Sequence, residues 1–291
     1  MPHPGIHHAL PSELVDVVID HVSYARYVED ENFQVRRRQL GRRQQALARC
    51  SLVCRSWLIR SRFHLFGRVS LVPDKTERSN AFMAILDSPL STIASFVRHL
   101  VLGGAVWGAD TGEWQRATLP RLKVLFAVEV LEIRWIDFAM LKSCGQGPAD
   151  FFDSFQMVKK LRLSLCNFGS FPDFATAFSY PPLEEVSLDR VEVPAMDDTI
   201  ITPPSRIKSL QIHFIPTSTR MLTWLSSGGC TPSVQRLRFS LATCEDLPHI
   251  GNFMRSLGPS LKHFELAFCP WLEPDPQGTF VQFEIFIFVR T

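Results

Sequence analysis

A chain of 291 residues, 46% hydrophobic and 21% charged, has a globular composition with ample material for a core, in one large or two small domains. A formal net charge of +2 excludes a molecule built as a whole to coat nucleic acid or anionic membrane. Seven cysteines, at 50, 54, 144, 166, 230, 244 and 269, form an odd, unpatterned set that reads as reduced thiols of the cytosol or nucleus.

The first twenty residues lack a cationic stretch followed by an uncharged apolar block, so no secretory signal is expected. No run approaches the roughly 18 uncharged apolar residues of a membrane span. The chain opens with "HHALPSELVDVVIDHV", in which Pro11 suits a helix start and Ser12 and Glu13 suit a first turn. Leu14, Val17, Val18 and Val22 recur at helical spacing and are expected to share one apolar face. A charged insert follows at about 29–45, carrying Arg36, Arg37, Arg38, Arg42 and Arg43. It is expected to be a solvated loop; a nuclear import signal, a nucleic-acid contact or an acidic partner are the alternatives. Beyond it, in "ALARCSLVCRSWLIRSRF", Leu47, Cys50, Val53 or Cys54, and Trp57 share a helical stripe. Residues 73–96 read as a connector with one short helix, marked by Pro73 and Pro89.

From residue 97 one phrase recurs: an apolar residue, two positions, an apolar residue, one position, an apolar residue. It appears as Val97-Leu100-Leu102, Val128-Leu131-Ile133, Val158-Leu161-Leu163 and Leu183-Val186-Leu188. It continues as Ile207-Leu210-Ile212, Val234-Leu237-Phe239 and Leu261-Phe264-Leu266. The central residues are separated by 31, 30, 25, 24, 27 and 27 positions. Alternation in the second half of each phrase predicts a strand with one buried face. Burying three aliphatic side chains yields about 5–9 kcal/mol, whereas ordering a ~25-residue unit costs about 25–50 kcal/mol. No copy stands alone, so the copies must stack. Phe151, Phe152, Phe155, Phe174, Phe178, Trp224 and Phe253 are expected in the return layer.

The phrase resembles the L-x-x-L-x-L strand segment of leucine-rich repeats. That family's next landmark, an Asn or Cys three positions on, is present as Cys166 and Cys269 and missing at Ile136, Val191, Ile215 and Ala242. The N-terminal combination L-P-x-E-L…V…V, then L-x-x-C-S-L-V-C-R-S-W, is similar to the F-box over roughly residues 10–60, with a longer spacer between its halves. Leu10, Pro11, Glu13, Leu14, Val18, Val22, Leu52, Val53, Cys54 and Trp57 fall on its motif positions. The expected fold class is therefore α/β: a helical F-box module at 8–72, the connector, and an irregular leucine-rich-repeat solenoid at 97–291. The resemblance implies a substrate-recognition subunit of a Skp–cullin–F-box ubiquitin ligase. In it these residues dock on a Skp-type adaptor, and through it a cullin–RING ligase, while the repeats hold a protein substrate. The plain alternative is that Leu10, Leu14 and Val18 pack on the protein's own second helix, and Trp57 is core in either case. A second alternative is a leucine-rich-repeat interaction scaffold without ligase coupling.

Other constellations carry little chemistry. His3, His7 and His8 with Cys50 and Cys54 lack the spacing of a metal knuckle. "GGAVWG" at 103–108 has no following Lys-Ser/Thr, and "SSGGC" at 226–230 reads as a turn. The adjacent acids Glu184 and Glu185, and Asp197 and Asp198, diverge on a strand or a helix. No active site, metal, cofactor, membrane or nucleic-acid partner is expected. The recognition surface is expected along the outward strand row: Lys159, Lys160, Arg162, Glu184, Glu185, Lys208, Gln211, Arg236, Arg238, Lys262 and Glu265. The apolar tail Phe280–Phe288 is expected to pair as a last strand; the alternative is a partial repeat that exposes an aggregation-prone edge.

Overall fold

The computed structural model describes residues 11–24, 33–73, 76–103, 111–143, 147–178, 180–194, 203–213, 218–227, 233–242, 246–268 and 289–290. Three helices come first: α1 (Ser12–Tyr24), α2 (Phe33–Cys50) and α3 (Arg55–Phe66). Strand β1 (Arg68–Leu71) and α4 (Thr76–Leu86) follow. Next come β2 (His99–Gly103), α5 (Thr111–Thr118), β3 (Val130–Arg134), α6 (Phe138–Ser143) and α7 (Pro148–Phe152). The chain continues through β4 (Lys160–Ser164), α8 (Phe171–Thr176), β5 (Glu185–Asp189), β6 (Ser209–His213) and α9 (Ser218–Ser226). It closes with β7 (Arg236–Ala242), α10 (Leu247–Leu257), β8 (His263–Phe268) and β9 (Val289–Arg290).

One sheet runs through the chain. Strands β1 to β8 are all parallel and lie side by side in chain order, and β9 adds antiparallel to β8. Because the order never reverses, the sheet formed by the described residues has no switch point of the kind that receives ligands in doubly wound folds. Each of the seven apolar phrases contains a strand, and the register aligns them. Leu100, Leu131, Leu161, Val186, Leu210, Leu237 and Phe264 form one buried row, and Leu102, Ile133, Leu163, Leu188, Ile212, Phe239 and Leu266 the next. The helices pack on this face. Phe138 stacks on Phe168 at 4.6 Å, while Phe171, Phe174 and Phe178 surround Trp224 edge-on at 5.3–6.2 Å. Such contacts add to burial about 0.5–1.5 kcal/mol per pair.

The position after β3, β4 and β5 is handled without glycine. Trp135, Leu165 and Arg190 adopt φ of 50–59° and donate their N–H groups to Ser164, Asp189 and His213 of the next strand. The following residues, Ile136, Cys166 and Val191, are then all buried. That site takes an apolar side chain, which explains why the landmark Cys appears in one copy and aliphatic residues in its neighbours; Cys269 lies outside the described residues.

Four expectations need correction. The fold is not a helical F-box module followed by an irregular leucine-rich-repeat solenoid; it is one α/β sheet of eight parallel strands with helices. The sheet begins at Arg68, inside the span expected to be helical, because Val69 and Leu71 alternate inward and pair with β2. Helix α3 leads directly into β1, and its Phe66 packs on the core of the sheet. The Arg-rich insert is not a loop from residue 33 onward, since α2 runs through it to Cys50. Arg, Gln, Leu and Ala are good helix formers, and a single Gly41 costs only about 1 kcal/mol. The stripe expected from Leu47 to Trp57 is broken, because Leu52 and Val53 donate to the carbonyls of Arg49 and Cys50 in a tight turn and Cys54 becomes the extended N-cap of α3. Of the tail at 280–288, nothing lies within the described residues.

Candidate functional site

Helix α1 has a wider apolar arc than its neighbours cover. Val15 and Ile19, four residues apart, are buried with Leu47 of α2, and Val22, Trp57 and Leu65 pack partly against them. The expected single face of Leu14, Val17, Val18 and Val22 is therefore split. Only Val22 turns toward the helical core, while Leu14, Val17 and Val18 stay 51%, 63% and 43% exposed. Leu14 and Val18 are not among the residues of the helical core that Val15, Ile19 and Leu47 form. Leu52 and Val53 in the turn before α3 are 85% and 60% exposed, and Pro11, Glu13 and Cys54 are exposed as well. Leu10 lies outside the described residues.

The helices are clamped by charge. Asp20 of α1 accepts from Arg60 Nε at 2.7 Å and Nη2 at 2.5 Å, and lies 2.7 Å from His64 Nε2. The Arg60 guanidinium and His64 together hold the Asp20 carboxyl below its ordinary range. Ile59 and Phe63, four residues apart on α3, are also exposed apolar residues. Sequence reasoning passed over them, although their i, i+4 spacing was the available signal. Cys54 Sγ sits 3.1 Å from Ser56 Oγ, and that hydrogen bond lowers the thiol's pKa.

The second surface is the sheet face opposite the helices. Most of the expected recognition row forms cross-strand ion pairs. Lys159 bonds Glu129 at 3.1 Å, Lys208 bonds Glu184 at 2.8 Å, and Glu185 holds Lys160 at 3.0 Å and Arg236 at 3.2 Å. Arg238 and Glu265 pair at 3.3 Å. Glu184 and Glu185 take different partners, as adjacent strand residues do. Gln211 and Lys262 lie on the same strand series, with Lys262 N–H donating to the Gln235 carbonyl. Lysine 142, on the helical side, pairs with Asp173.

Sequence reading missed the centre of this face. Glu132 of β3 is only 2% exposed and is ringed from four adjacent strands. Arg162 Nη1 donates to it at 2.8 Å, Arg134 Nη2 at 3.0 Å, His99 Nε2 lies at 2.9 Å and Arg68 Nη2 at 3.9 Å. The His99 hydrogen bond, opposed by burial and helped by the charges of Arg162 and Arg68, lowers the Glu132 pKa to about 2. The register Ser70–Val101–Glu132–Arg162 marks the position, but alternation alone assigns it to solvent.

A cleft of about 490 Å³ on the helical side is lined by Pro172, Phe178, Tyr180, Pro204 and Arg206. Burial raises the Tyr180 hydroxyl well above its ordinary pKa, and among the described residues of the lining no acid–base pair is present. Gly103 closes β2, while the rest of "GGAVWG", most of "SSGGC", the pair Asp197 and Asp198, and His3, His7 and His8 lie outside the described residues. Among the described residues no helix is long and apolar enough to cross a membrane. Neither a scan of protein-family models nor a search of curated proteins returns a match to this sequence.

Proposed function

We propose that this chain is a non-catalytic substrate-recognition subunit of a Skp–cullin–F-box ubiquitin ligase. It docks on the Skp-type adaptor through α1 and the Ser51–Cys54 turn and holds a protein substrate on the open face of the sheet. One observation carries the reading: Leu14, Val17, Val18, Leu52 and Val53 are apolar, 43–85% exposed, and all but Val17 fall on the motif positions of the F-box resemblance. Monomeric surfaces scatter single apolar residues, but an arc left uncovered on one helix beside its own buried stripe asks for a partner.

The magnitude is informative. Full burial of each such side chain is worth about 1.5–3 kcal/mol, so covering the exposed parts of five yields roughly 4–9 kcal/mol. Association alone costs an estimated 4–15 kcal/mol. These five anchors are therefore the centre of a larger contact, to which Pro11, Ile59 and Phe63 contribute. Trp57 and Val22 support the docking helices from behind, because both pack on the helical core. In this role the chain works in the cytosol or nucleus, which also suits its cysteine pattern.

The test is co-purification with a Skp-type adaptor, wild type beside Leu14→Ala/Val18→Ala. The expected result is adaptor bound to the wild type and lost from a variant that keeps its circular dichroism spectrum. A folded wild type that brings down no adaptor ends the proposal and leaves an interaction scaffold without ligase coupling.

A further inference from the structure

The charge on the open sheet face is concentrated at β1–β4. Arg68, Arg134 and Arg162 converge on the single carboxylate of Glu132, yet their side chains remain 63%, 51% and 54% exposed. A guanidinium carries five N–H donors, and a carboxylate offers about four lone-pair sites. Glu132 takes one hydrogen bond each from Arg162 and Arg134 and a third from His99, so three of its four sites are taken while most of the guanidinium donors make no bond to it. Beside this cluster, at the entry edge of the same strands, Glu129 is shared by Arg98 at 3.1 Å and Lys159 at 3.1 Å. The next cation along, Lys160, is balanced by Glu185. Five cations thus face two carboxylates across β1–β4, an excess larger than the +2 of the whole chain.

We propose that this face binds an acidic segment of a partner protein, with Asp or Glu side chains chelated by the arginines that Glu132 holds in place. It rests on the reading of the sheet as the substrate surface, and names the class of substrate segment that surface takes. Geometry and charge both fit. Strands stand about 4.8 Å apart, and an extended peptide laid across them presents side chains on one face about every 6.7 Å. Arg68 on β1 and Arg162 on β4 reach Glu132 from either side, at 3.9 and 2.8 Å, so these guanidinium nitrogens gather within about 9 Å, which matches carboxylates at positions one and three. Arginine pairs with carboxylate bidentately, and guanidiniums already held by Glu132 lose less freedom on binding. Single-stranded nucleic acid fits less well. Strands β1–β4 contribute no Phe, Tyr or Trp on which bases could stack, and a carboxylate sits at the centre of the cluster.

The experiment measures the full chain, without adaptor, binding a fluorescein-labelled peptide of alternating Glu and Gly about eight residues long, beside a Gln–Gly control. The Glu peptide binds at least about tenfold more tightly than the control, and the preference falls as NaCl rises from about 50 to about 300 mM. Arg134→Gln/Arg162→Gln lowers the affinity about tenfold or more, whereas Arg42→Gln/Arg43→Gln on α2 leaves it unchanged. If the double variant does not fold, Arg68→Gln, whose contact to Glu132 is the long one at 3.9 Å, lowers the affinity about threefold. Equal binding of the Glu and Gln peptides, or an affinity indifferent to these arginines, overturns the proposal. So does an oligothymidylate of equal charge that binds more tightly and displaces the peptide. Adaptor co-purification reads the other half of the proposed function, so the two can fail separately.

Discussion

Replacing Glu132 by Gln keeps the shape of the side chain and removes the charge that four strands share. In the folded protein the carboxyl pKa falls from an ordinary 4.5 to about 2, first through the His99 hydrogen bond and then through the Arg162 and Arg68 charges. At about 1.4 kcal/mol per pH unit, that difference sets a ceiling of roughly 3.4 kcal/mol. The three arginines are more than half exposed, so water screens their share, and about 2 kcal/mol is the expected contribution at pH 7. Because the folded pKa is the lower one, this stabilisation is complete above about pH 4.5 and is lost as pH falls toward about 2. Urea unfolding of wild type and Glu132→Gln at a series of pH values isolates the group, since every other carboxylate is common to both. The wild type should lead by about 2 kcal/mol from pH 7 to 5, with more than half of that lead gone by pH 3. A lead that stays constant from pH 7 to 3, or no lead at all, would refute the assignment of Glu132 as the keystone of the sheet face.

Ile19→Ala, at a fully buried position, should cost about 2–4 kcal/mol in chemical denaturation, whereas Leu14→Ala/Val18→Ala should stay within about 1 kcal/mol of wild type. Equal costs for the two would contradict the split arc of α1. Gly103→Ala should be severe, by about 3 kcal/mol or more, because φ is +86° and an added Cβ would lie 1.7 Å from the Arg134 carbonyl oxygen; a thermal melt within a few degrees of wild type would disprove the close approach. Iodoacetamide at pH 8 should label Cys54, exposed and lowered by the Ser56 hydroxyl, well before Cys166, whose thiol burial pushes up to about 12. Ser56→Ala should slow the Cys54 reaction, and mass spectrometry finding Cys166 labelled first in the folded protein would reverse the assignment.

The strands were legible because a single requirement, aliphatic residues facing one layer, writes itself into sequence at period two, as in Leu100 and Leu102 or Leu161 and Leu163. Elements ruled by other forces were not. Polarity made the Arg-rich insert look like a loop, yet helix formation there follows from backbone propensity, which charge does not cancel. The left-handed residues that end β3, β4 and β5 are Trp135, Leu165 and Arg190, so no glycine signals the turn; the cost of about 1–2 kcal/mol each is met by a hydrogen bond to the next strand. Glu132 was hidden for a related reason. Its local pattern is that of any outward strand residue, and its burial comes from Arg162, 30 positions away, and His99, 33 positions away.

The two surfaces differ in kind, and the difference bears on what each can do. An apolar arc on α1 gains from dehydration, is nearly insensitive to salt, and discriminates poorly among apolar grooves. A cluster of guanidiniums held by a buried carboxylate attracts from a distance, weakens with salt, and rejects partners of the same sign. A permanent partner common to many complexes suits the first, and a transient one that must be chosen suits the second. Removing Leu14 and Val18 should therefore shorten the life of the proposed adaptor complex at any ionic strength. Removing Arg134 and Arg162 should slow capture of an acidic segment, most of all at low salt. A stopped-flow measurement that finds the reverse assignment, salt-dependent association at α1 and salt-independent association at the sheet, would defeat this division of roles.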